Sequence, residues 1–116
     1  MTADNSGKTA ERLVRAFLFL KGYRILASNY ITGRRTTAGE IDIIACKGKT
    51  LVFVEVKKRS TIEKAAYALL AKQRQRIQRG AEAFIKRHPQ YKKHNVRFDA
   101  VLVKLPLTIK HIKNAF

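Results

Sequence analysis

Acidic residues are scarce in this sequence of 116 residues, which has 8 Asp and Glu against 25 Lys and Arg and a formal net charge of +17. Such an imbalance indicates an anionic partner. Nucleic acid is the first candidate, because a phosphate backbone binds many Lys and Arg side chains at once. An anionic membrane surface and a charge that only serves solubility are the alternatives. Both rank lower, because neither end of the chain has a basic amphipathic anchor or a lipidation signal.

The chain also has little of what a secreted or membrane protein needs. Cys46 is its only cysteine, so a disulfide framework is excluded and a reducing compartment is expected. No apolar run approaches the roughly 18 residues of a membrane span, and residues 1–4 lack the basic-then-apolar order of a signal peptide. We therefore predict a cytoplasmic protein. A hydrophobic share of 46% favours one folded domain over residues 1–116 rather than a disordered basic tail.

Hydrophobic periodicity predicts an α/β fold, a central mixed β-sheet flanked by helices in the order α-β-β-β-α-β-β. The helices are expected at about 6–21 and 62–88, with a break near Ala71 left open, and 31–38 is expected to be a loop. The strands are predicted at 23–30, 40–46, 50–57, 95–104 and about 107–112. The apolar faces of the helices consist of Ala10, Leu13, Val14, Phe17 and Leu20 in the first and Ile77, Ala81, Phe84 and Ile85 in the second.

Three of the eight acids interrupt two adjacent apolar strands. Glu40 and Asp42 belong to the second predicted strand, and Glu55 follows the apolar run 51–54 of the third. Burying an unpaired carboxylate costs several kcal/mol, so a chain does this only where something compensates the charge. In a chain so poor in acids, this placement indicates a metal site within an otherwise basic protein.

The predicted hairpin brings these acids together. A tight turn at Gly48-Lys49 places Asp42 opposite Glu55 and Glu40 opposite Lys57. Opposed carboxylates, with Cβ atoms about 5 Å apart, destabilise a sheet unless something bridges them. A divalent cation can do so, because Mg²⁺ takes one or two carboxylates together with water and substrate phosphate oxygens. Lys57 can then stabilise negative charge at phosphorus or orient a water molecule.

A plain ion pair is the alternative explanation for these residues. Lys57 would then neutralise Glu40 across the hairpin, and Asp42 would point into solvent at a sheet edge. We favour the site, because both strands are too apolar to be exposed to solvent and clustered buried carboxylates are typical of functional sites.

Asp42, followed by a hairpin and the motif Glu55-Val56-Lys57, resembles the PD-(D/E)XK superfamily of metal-dependent nucleases. A narrower similarity covers nearly the whole chain, and it is to the YraN-like bacterial family of predicted endonucleases. The segments that carry it are Gly7 with Ala10 and Glu11, and residues 22–26, 39–42, 53–59, 72–73, 97–99 and 111–116.

The resemblance implies a restriction-endonuclease-like fold and a Mg²⁺- or Mn²⁺-dependent endonuclease acting on DNA, branched or structured DNA included. It places the metal-binding acids on Asp42 and Glu55 and the catalytic lysine on Lys57. Junction-resolving members use a Glu of the first helix as a further ligand, which puts Glu11 at the metal. They also act as dimers, so a homodimer is expected by analogy. Taken by itself, Glu11 is an ordinary first-turn acid favoured by the helix dipole.

Basic residues of the second helix and of the segments around the hairpin are predicted to follow phosphates beside the metal site. They are Arg34, Arg35, Lys58, Arg59, Lys72, Arg74, Arg76 and Arg79. A solvated helix face is the alternative. Two other functions also stay open: a catalytically inactive nucleic-acid-binding module of the same fold, and a basic scaffold that docks onto a ribonucleoprotein. DNA is favoured over RNA as the nucleic acid.

The remaining polar residues point to no further site. His88, His94 and His111 lack metal-ligand spacing and are predicted to lie on the surface. Asp99 is interpreted as a structural partner of a neighbouring basic residue. Gln73 matches a position that some nuclease branches use near the metal, but its basic neighbours favour a solvated helix face.

Overall fold

Two helices and five strands make up the part of the chain that the computed structural model describes, which is residues 4–32, 39–58, 71–104 and 108–115. A short 3-10 helix, Pro89–Tyr91, precedes the fourth strand and was not predicted. In chain order the other elements are α1 (Asp4–Leu20), β1 (Arg24–Thr32), β2 (Gly39–Lys47), β3 (Thr50–Lys58), α2 (Ala71–Arg87), β4 (Asn95–Lys104) and β5 (Thr108–Ile112).

The strands form one sheet whose spatial order follows the chain, β1-β2-β3-β4-β5. β3 and β4 run parallel, whereas the other three neighbouring pairs run antiparallel. A parallel pair needs a long crossover connection, and α2 lies within the one that joins β3 to β4. The predicted mixed α/β fold with helices on a central mixed sheet is therefore confirmed.

The two helices cover opposite faces of this sheet, because successive side chains of each strand point to opposite sides. On one face α1 packs Val14 and Leu18 against the sheet, in a cluster with Ile43, Val52 and Val101. On the other face α2 packs its buried residues against Ile44, Leu51 and Phe53, and these helix residues are Ile77, Ala81 and Phe84. The predicted core face of the second helix is confirmed.

The predicted core face of α1 was wrong at its last position. Leu20 is 83% exposed, whereas Leu18, which was not predicted, is fully buried. Leu18 follows Val14 by four residues and so returns to the same side of the helix, whereas a spacing of six carries Leu20 to the other side.

Among the described residues, no helix is long and apolar enough to cross a membrane.

The bounds of β1 and β5 differ from those predicted. β1 continues through Ile31 and Thr32, which were assigned to a loop, because both residues pair with β2. β5 begins at Thr108. The rest of the predicted loop (33–38), the first part of the predicted second helix (62–70) and Pro106 lie outside the described residues.

A glycine pair lets α2 approach the first residue of β2 closely. A Cβ added to Gly39 would lie 2.7 Å from the Cα of Gly80 in α2, which is too close for real atoms. A Cβ added to Gly80 would instead meet the side chain of Ile41, at 2.9 Å. The contact places the residues of α2 one and two turns before Gly80 over the start of β2.

Gly39→Ala is expected to destabilise the protein by about 1–3 kcal/mol, because its methyl group meets helix backbone that cannot move aside without displacing α2. Gly80→Ala is the matched control. Its methyl group meets the side chain of Ile41 rather than backbone, and alanine adds helix propensity of about 1 kcal/mol, so a smaller loss of stability is expected. Chemical denaturation of both variants measures the difference. A Gly39→Ala protein as stable as wild type would contradict this close approach.

Candidate active site

The ladder between β2 and β3 stops partway along the two strands. It runs in the predicted register from the pair Lys47 and Thr50 at the turn to the pair Ile43 and Val54. Beyond that point β2 pairs only with β1, as far as its first residue, and β3 pairs only with β4, as far as its last. The sheet therefore splits between its second and third strands at the end away from the turn.

The side chain of Asp42 occupies the place of the next backbone pair. Its Oδ2 accepts a hydrogen bond of 2.8 Å from the backbone N–H of Val56. Extending the predicted register to pair Asp42 with Glu55 and Glu40 with Lys57 was therefore wrong for the backbone. Since the carboxylate takes the N–H group that would continue the ladder, the pairing cannot extend past this residue.

A cleft of about 300 Å³ lies at this split, with α1 on one side and α2 on the other. Four of the eight acids of the chain line it, together with three basic residues. The acids are Glu11, Glu40, Asp42 and Glu55, the basic residues are Lys57, Lys58 and Arg76, and Ala10, Val56, Gln73 and Ile77 complete the wall. Negative charge, scarce elsewhere in the chain, is thus concentrated in one small cleft.

Asp42 and Glu55 form a close carboxyl pair in this cleft. Burial, followed by the negative charge of Glu55 and a hydrogen bond between the two carboxyl groups, raises the pKa of Asp42 to about 8. The charge of Glu11 acts in the same direction, whereas the N–H of Val56 opposes it. In the absence of a cation, the pair is therefore more stable when it retains one proton than when both carboxyl groups are charged.

The donor atoms of this pair fit Mg²⁺ or Mn²⁺. Both cations prefer oxygen ligands, and a pair of carboxylates that cannot easily ionise together is relieved by a divalent charge. Glu11 lines the same cleft and is close enough to act on the pKa of Asp42. Across the described ranges, however, no group of three or more His, Cys, Asp and Glu side chains is arranged to hold a metal ion. Glu11 is near the pair without completing such a group.

Lys57 is paired with the second acid of the motif. Its Nζ lies 3.0 Å from Oε2 of Glu55, and both side chains are only 12% exposed. The alternative in which Lys57 neutralises Glu40 is not what the structure has, since Glu40 forms its ion pair with Arg76 of α2. Asp42 is also half-buried rather than solvated at a sheet edge.

The predicted nucleic-acid-binding residues are brought only partly to the cleft. Lys58 and Arg76 line it, whereas Arg74 and Arg79 lie on α2 without lining it. Arg34, Arg35 and Arg59 lie outside the described residues, as does the side chain of Lys72.

Gln73 and Glu40 are cleft residues for which the sequence predicted no metal-binding or catalytic role. Gln73 is partly buried in the cleft wall, so the expectation of a solvated helix face was wrong. Its spacing of four residues before buried Ile77 is the signal that places it on the sheet side of α2. Glu40 was expected to face Lys57, and only the position of α2 gives it Arg76 as a partner.

Asp99 lies outside the cleft, in a second polar cluster within the sheet. It is fully buried and accepts hydrogen bonds from Arg97 at 2.8 and 2.9 Å and from the backbone N–H of Asn114 at 3.1 Å, with Nε2 of His111 at 2.7 Å. Burial alone would raise the pKa of Asp99, but hydrogen bonds with His111, Arg97 and Asn114 hold it below its usual value. Its predicted role as partner of a neighbouring basic residue is confirmed.

The prediction that His111 lies on the surface was wrong. Its side chain is 4% exposed, and the rings of Phe17 and Tyr23 contact it edge-on. His111 has no polar partner nearby in the sequence, so the sequence does not show that it is buried. Its partner, Asp99, lies on the neighbouring strand. This cluster connects β4, β5 and the end of α1.

The fold and the site define a mixed α/β protein with an acidic cleft where its sheet splits, bordered by basic residues. The chain belongs to the uncharacterised protein family UPF0102, whose family model matches residues 10–103. It is 46% identical over 114 residues to a UPF0102 protein of Paramagnetospirillum magneticum, covering 98% of this chain and 88% of the relative. A UPF0102 protein of Nitrobacter winogradskyi is 43% identical over 116 residues, covering 100% of this chain and 95% of the relative.

Proposed function

We propose that this protein is a Mg²⁺- or Mn²⁺-dependent endonuclease of the YraN-like branch of the PD-(D/E)XK superfamily, which hydrolyses phosphodiester bonds in DNA. The observation that supports this most is the carboxyl pair of Asp42 and Glu55 with Lys57 beside it, in a cleft at the split end of the sheet. A buried pair of acids that share a proton lowers the stability of the fold. Such pairs are typical of functional sites, so the pair favours a functional explanation.

Each side chain of the cleft has a role in this proposal. Asp42 and Glu55 would hold the cation, which when bound supplies Lewis-acid polarisation of the phosphate and a lower pKa for water. Lys57, held by Glu55, donates hydrogen bonds to the phosphate and stabilises the negative charge that develops on its oxygens. Arg76, oriented by Glu40 at the rim, binds an adjoining phosphate, because a guanidinium matches phosphate geometry.

A binding module of the same fold that does not turn over is the second candidate. One observation favours it: within the described residues the acids do not form a group of three suited to a metal. The two candidates differ in what the carboxyl pair does. A nuclease needs Asp42 and Glu55 for cleavage, whereas a binding module needs neither for affinity.

A cleavage assay with a matched acid-to-alanine pair tests the proposal. Purified protein is incubated with Mg²⁺, Mn²⁺ or chelator and with single-stranded, duplex, flap and four-way-junction DNA and RNA of the same sequences. We expect metal-dependent cleavage that is lost in Glu55→Ala and kept in Glu82→Ala, which removes an exposed acid of α2 outside the cleft. Equal cleavage by both variants would contradict the proposal, and tight binding without cleavage would favour the binding module.

A further inference from the structure

The end of the sheet opposite the cleft carries a second concentration of positive charge. We call it the hairpin end and define it by Lys21, Arg24, Lys47, Lys49 and Lys93. Two hydrogen bonds hold parts of this end together: Nζ of Lys47 donates to the backbone carbonyl oxygen of Lys21 at 2.8 Å, and the N–H of Asn95 donates to the carbonyl oxygen of Lys49 at 2.8 Å. Arg24 begins β1 and pairs with Cys46, next to Lys47.

Among the described side chains, no acidic residue lies close enough to balance this charge. Four of the acids line the cleft at the other end, Asp99 is buried with its own partners, and Glu82 lies on α2 beside Lys86 and Lys92. Arg24, Lys49 and Lys93 are exposed, and so is Lys47, whose ammonium contacts the carbonyl oxygen of Lys21. The ammonium of Lys21 lies 2.8 Å from Nδ1 of His111 and so contributes least to the open surface. The hairpin end is therefore a positive surface that is open to an anionic ligand.

The spacing of these residues suits a nucleic-acid backbone. The row from Arg24 on β1 to Lys93 before β4 crosses three strand spacings, or about 14 Å. That length equals about four base pairs of duplex at 3.4 Å each. Phe19 and Leu20, which are 69% and 83% exposed, end α1 beside this row. Phe19 offers an aromatic ring on which an unpaired base can stack, next to cations that form ion pairs with phosphates.

We propose that the hairpin end is a second nucleic-acid contact, which binds the backbone of the same substrate at a distance from the cleft. This inference rests on the proposed function for the choice of nucleic acid as the partner. The seven residue steps from Thr50 to Lys57 along β3 separate the two ends by about 23 Å, so a substrate that reaches both spans about seven base pairs or more. A membrane surface fits less well, because, among the described residues, the exposed large apolar ones at this end are only Phe19, Leu20 and Val96, whereas membrane binding needs a broad apolar face.

The test is a binding measurement in chelator, where no cleavage occurs. Fluorescence anisotropy compares Arg24→Glu/Lys49→Glu with Lys110→Glu/Lys113→Glu, a matched control in which both lysines are exposed and lie on the far side of β4. Each double variant changes the net charge equally. On a duplex of about 30 base pairs we expect the hairpin-end variant to bind roughly tenfold or more weakly with a shallower salt dependence, and the control to stay within about threefold of wild type.

A short DNA stem-loop with a stem of about five base pairs cannot reach both ends at once. Because it can still bind at the cleft, its affinity should fall by less in the hairpin-end variant than that of the long duplex, by no more than about threefold. Equal loss of affinity in both double variants would overturn the proposal, because general charge would then explain the binding. Loss of binding to phosphatidylglycerol vesicles with unchanged DNA affinity would overturn it in favour of a membrane. Because the comparison needs no turnover, a protein without nuclease activity can still confirm this contact.

Discussion

Lys57→Ala is expected to slow DNA cleavage by about a hundredfold or more while DNA affinity changes by no more than a few-fold. The Lys57 ammonium lies 3.0 Å from Glu55 and is largely shielded from solvent, so its charge acts at the reacting phosphate with little screening. One cation among 25 Lys and Arg contributes little to overall affinity. Single-turnover cleavage with saturating protein separates the rate on bound substrate from affinity, which is measured in chelator.

Lys104→Ala is the matched control for this experiment, since it removes an exposed lysine at the end of the neighbouring strand β4. It should cleave as wild type does. Thermal melts of both variants show whether the loss of Lys57, which leaves Glu55 without its ion pair, also affects folding. A well-folded Lys57→Ala protein with the wild-type rate, in preparations free of contaminating nuclease, would exclude the catalytic assignment.

Asp42→Asn should abolish cleavage and yet leave the metal-free protein as stable as wild type, or more stable by about 0.5–2 kcal/mol. The substitution keeps the shape of the side chain and removes a group that, without a cation, either keeps its proton or repels the charge of Glu55. Mg²⁺ or Mn²⁺ should raise the melting temperature of wild type, because a ligand bound only by the native state stabilises it by mass action. The variant should lose that increase.

In chelator, the stability of Asp42→Asn relative to wild type should increase as the pH rises. Folding raises the pKa of Asp42 from 3.8 to about 8, so the unfolded chain releases this proton at a lower pH than the native protein does. The stability that the protonated side chain contributes is complete below about pH 4 and is lost as the pH rises to about 8. Asparagine does not titrate, so the difference in melting temperature between variant and wild type measures this one group.

Melts of both proteins across this pH range, with chelator and with excess Mn²⁺, therefore test the carboxyl pair directly. Destabilisation of the metal-free variant by more than about 1 kcal/mol would show that Asp42 is paired with a cation instead. A pH-independent difference between the two proteins would show that Asp42 is exposed to solvent and ionised throughout.

The acids of the site could be recognised in the sequence because charge within an apolar strand is visible without any structure. Asp42 and Glu55 stand out against their neighbours for this reason, and the register of their hairpin follows from the turn at Gly48-Lys49. That register is confirmed from the turn to Ile43 and Val54. Beyond it the register fails, because a carboxylate rather than a backbone carbonyl takes the N–H of the facing strand.

Partners that belong to distant elements could not be predicted in the same way. Arg76 pairs with Glu40 because the close contact between Gly39 and Gly80 sets the position of α2. His111 is buried because β5 places it beside Asp99 of β4. Neither the approach of a helix to a strand nor the pairing of two strands across a connection leaves a local pattern in the chain.

The sequence by itself determined the mixed α/β fold, the hairpin, the acids within it and the excess of positive charge, because these follow from local periodicity, turn chemistry and composition. Only the tertiary structure decided that four acids meet in one cleft, that Lys57 pairs with Glu55 rather than Glu40, and that basic residues gather at both ends of the sheet. The reason is physical. Such neighbours are set by where the strand ladder ends and by how closely the helices pack, and both depend on contacts between residues far apart in the chain.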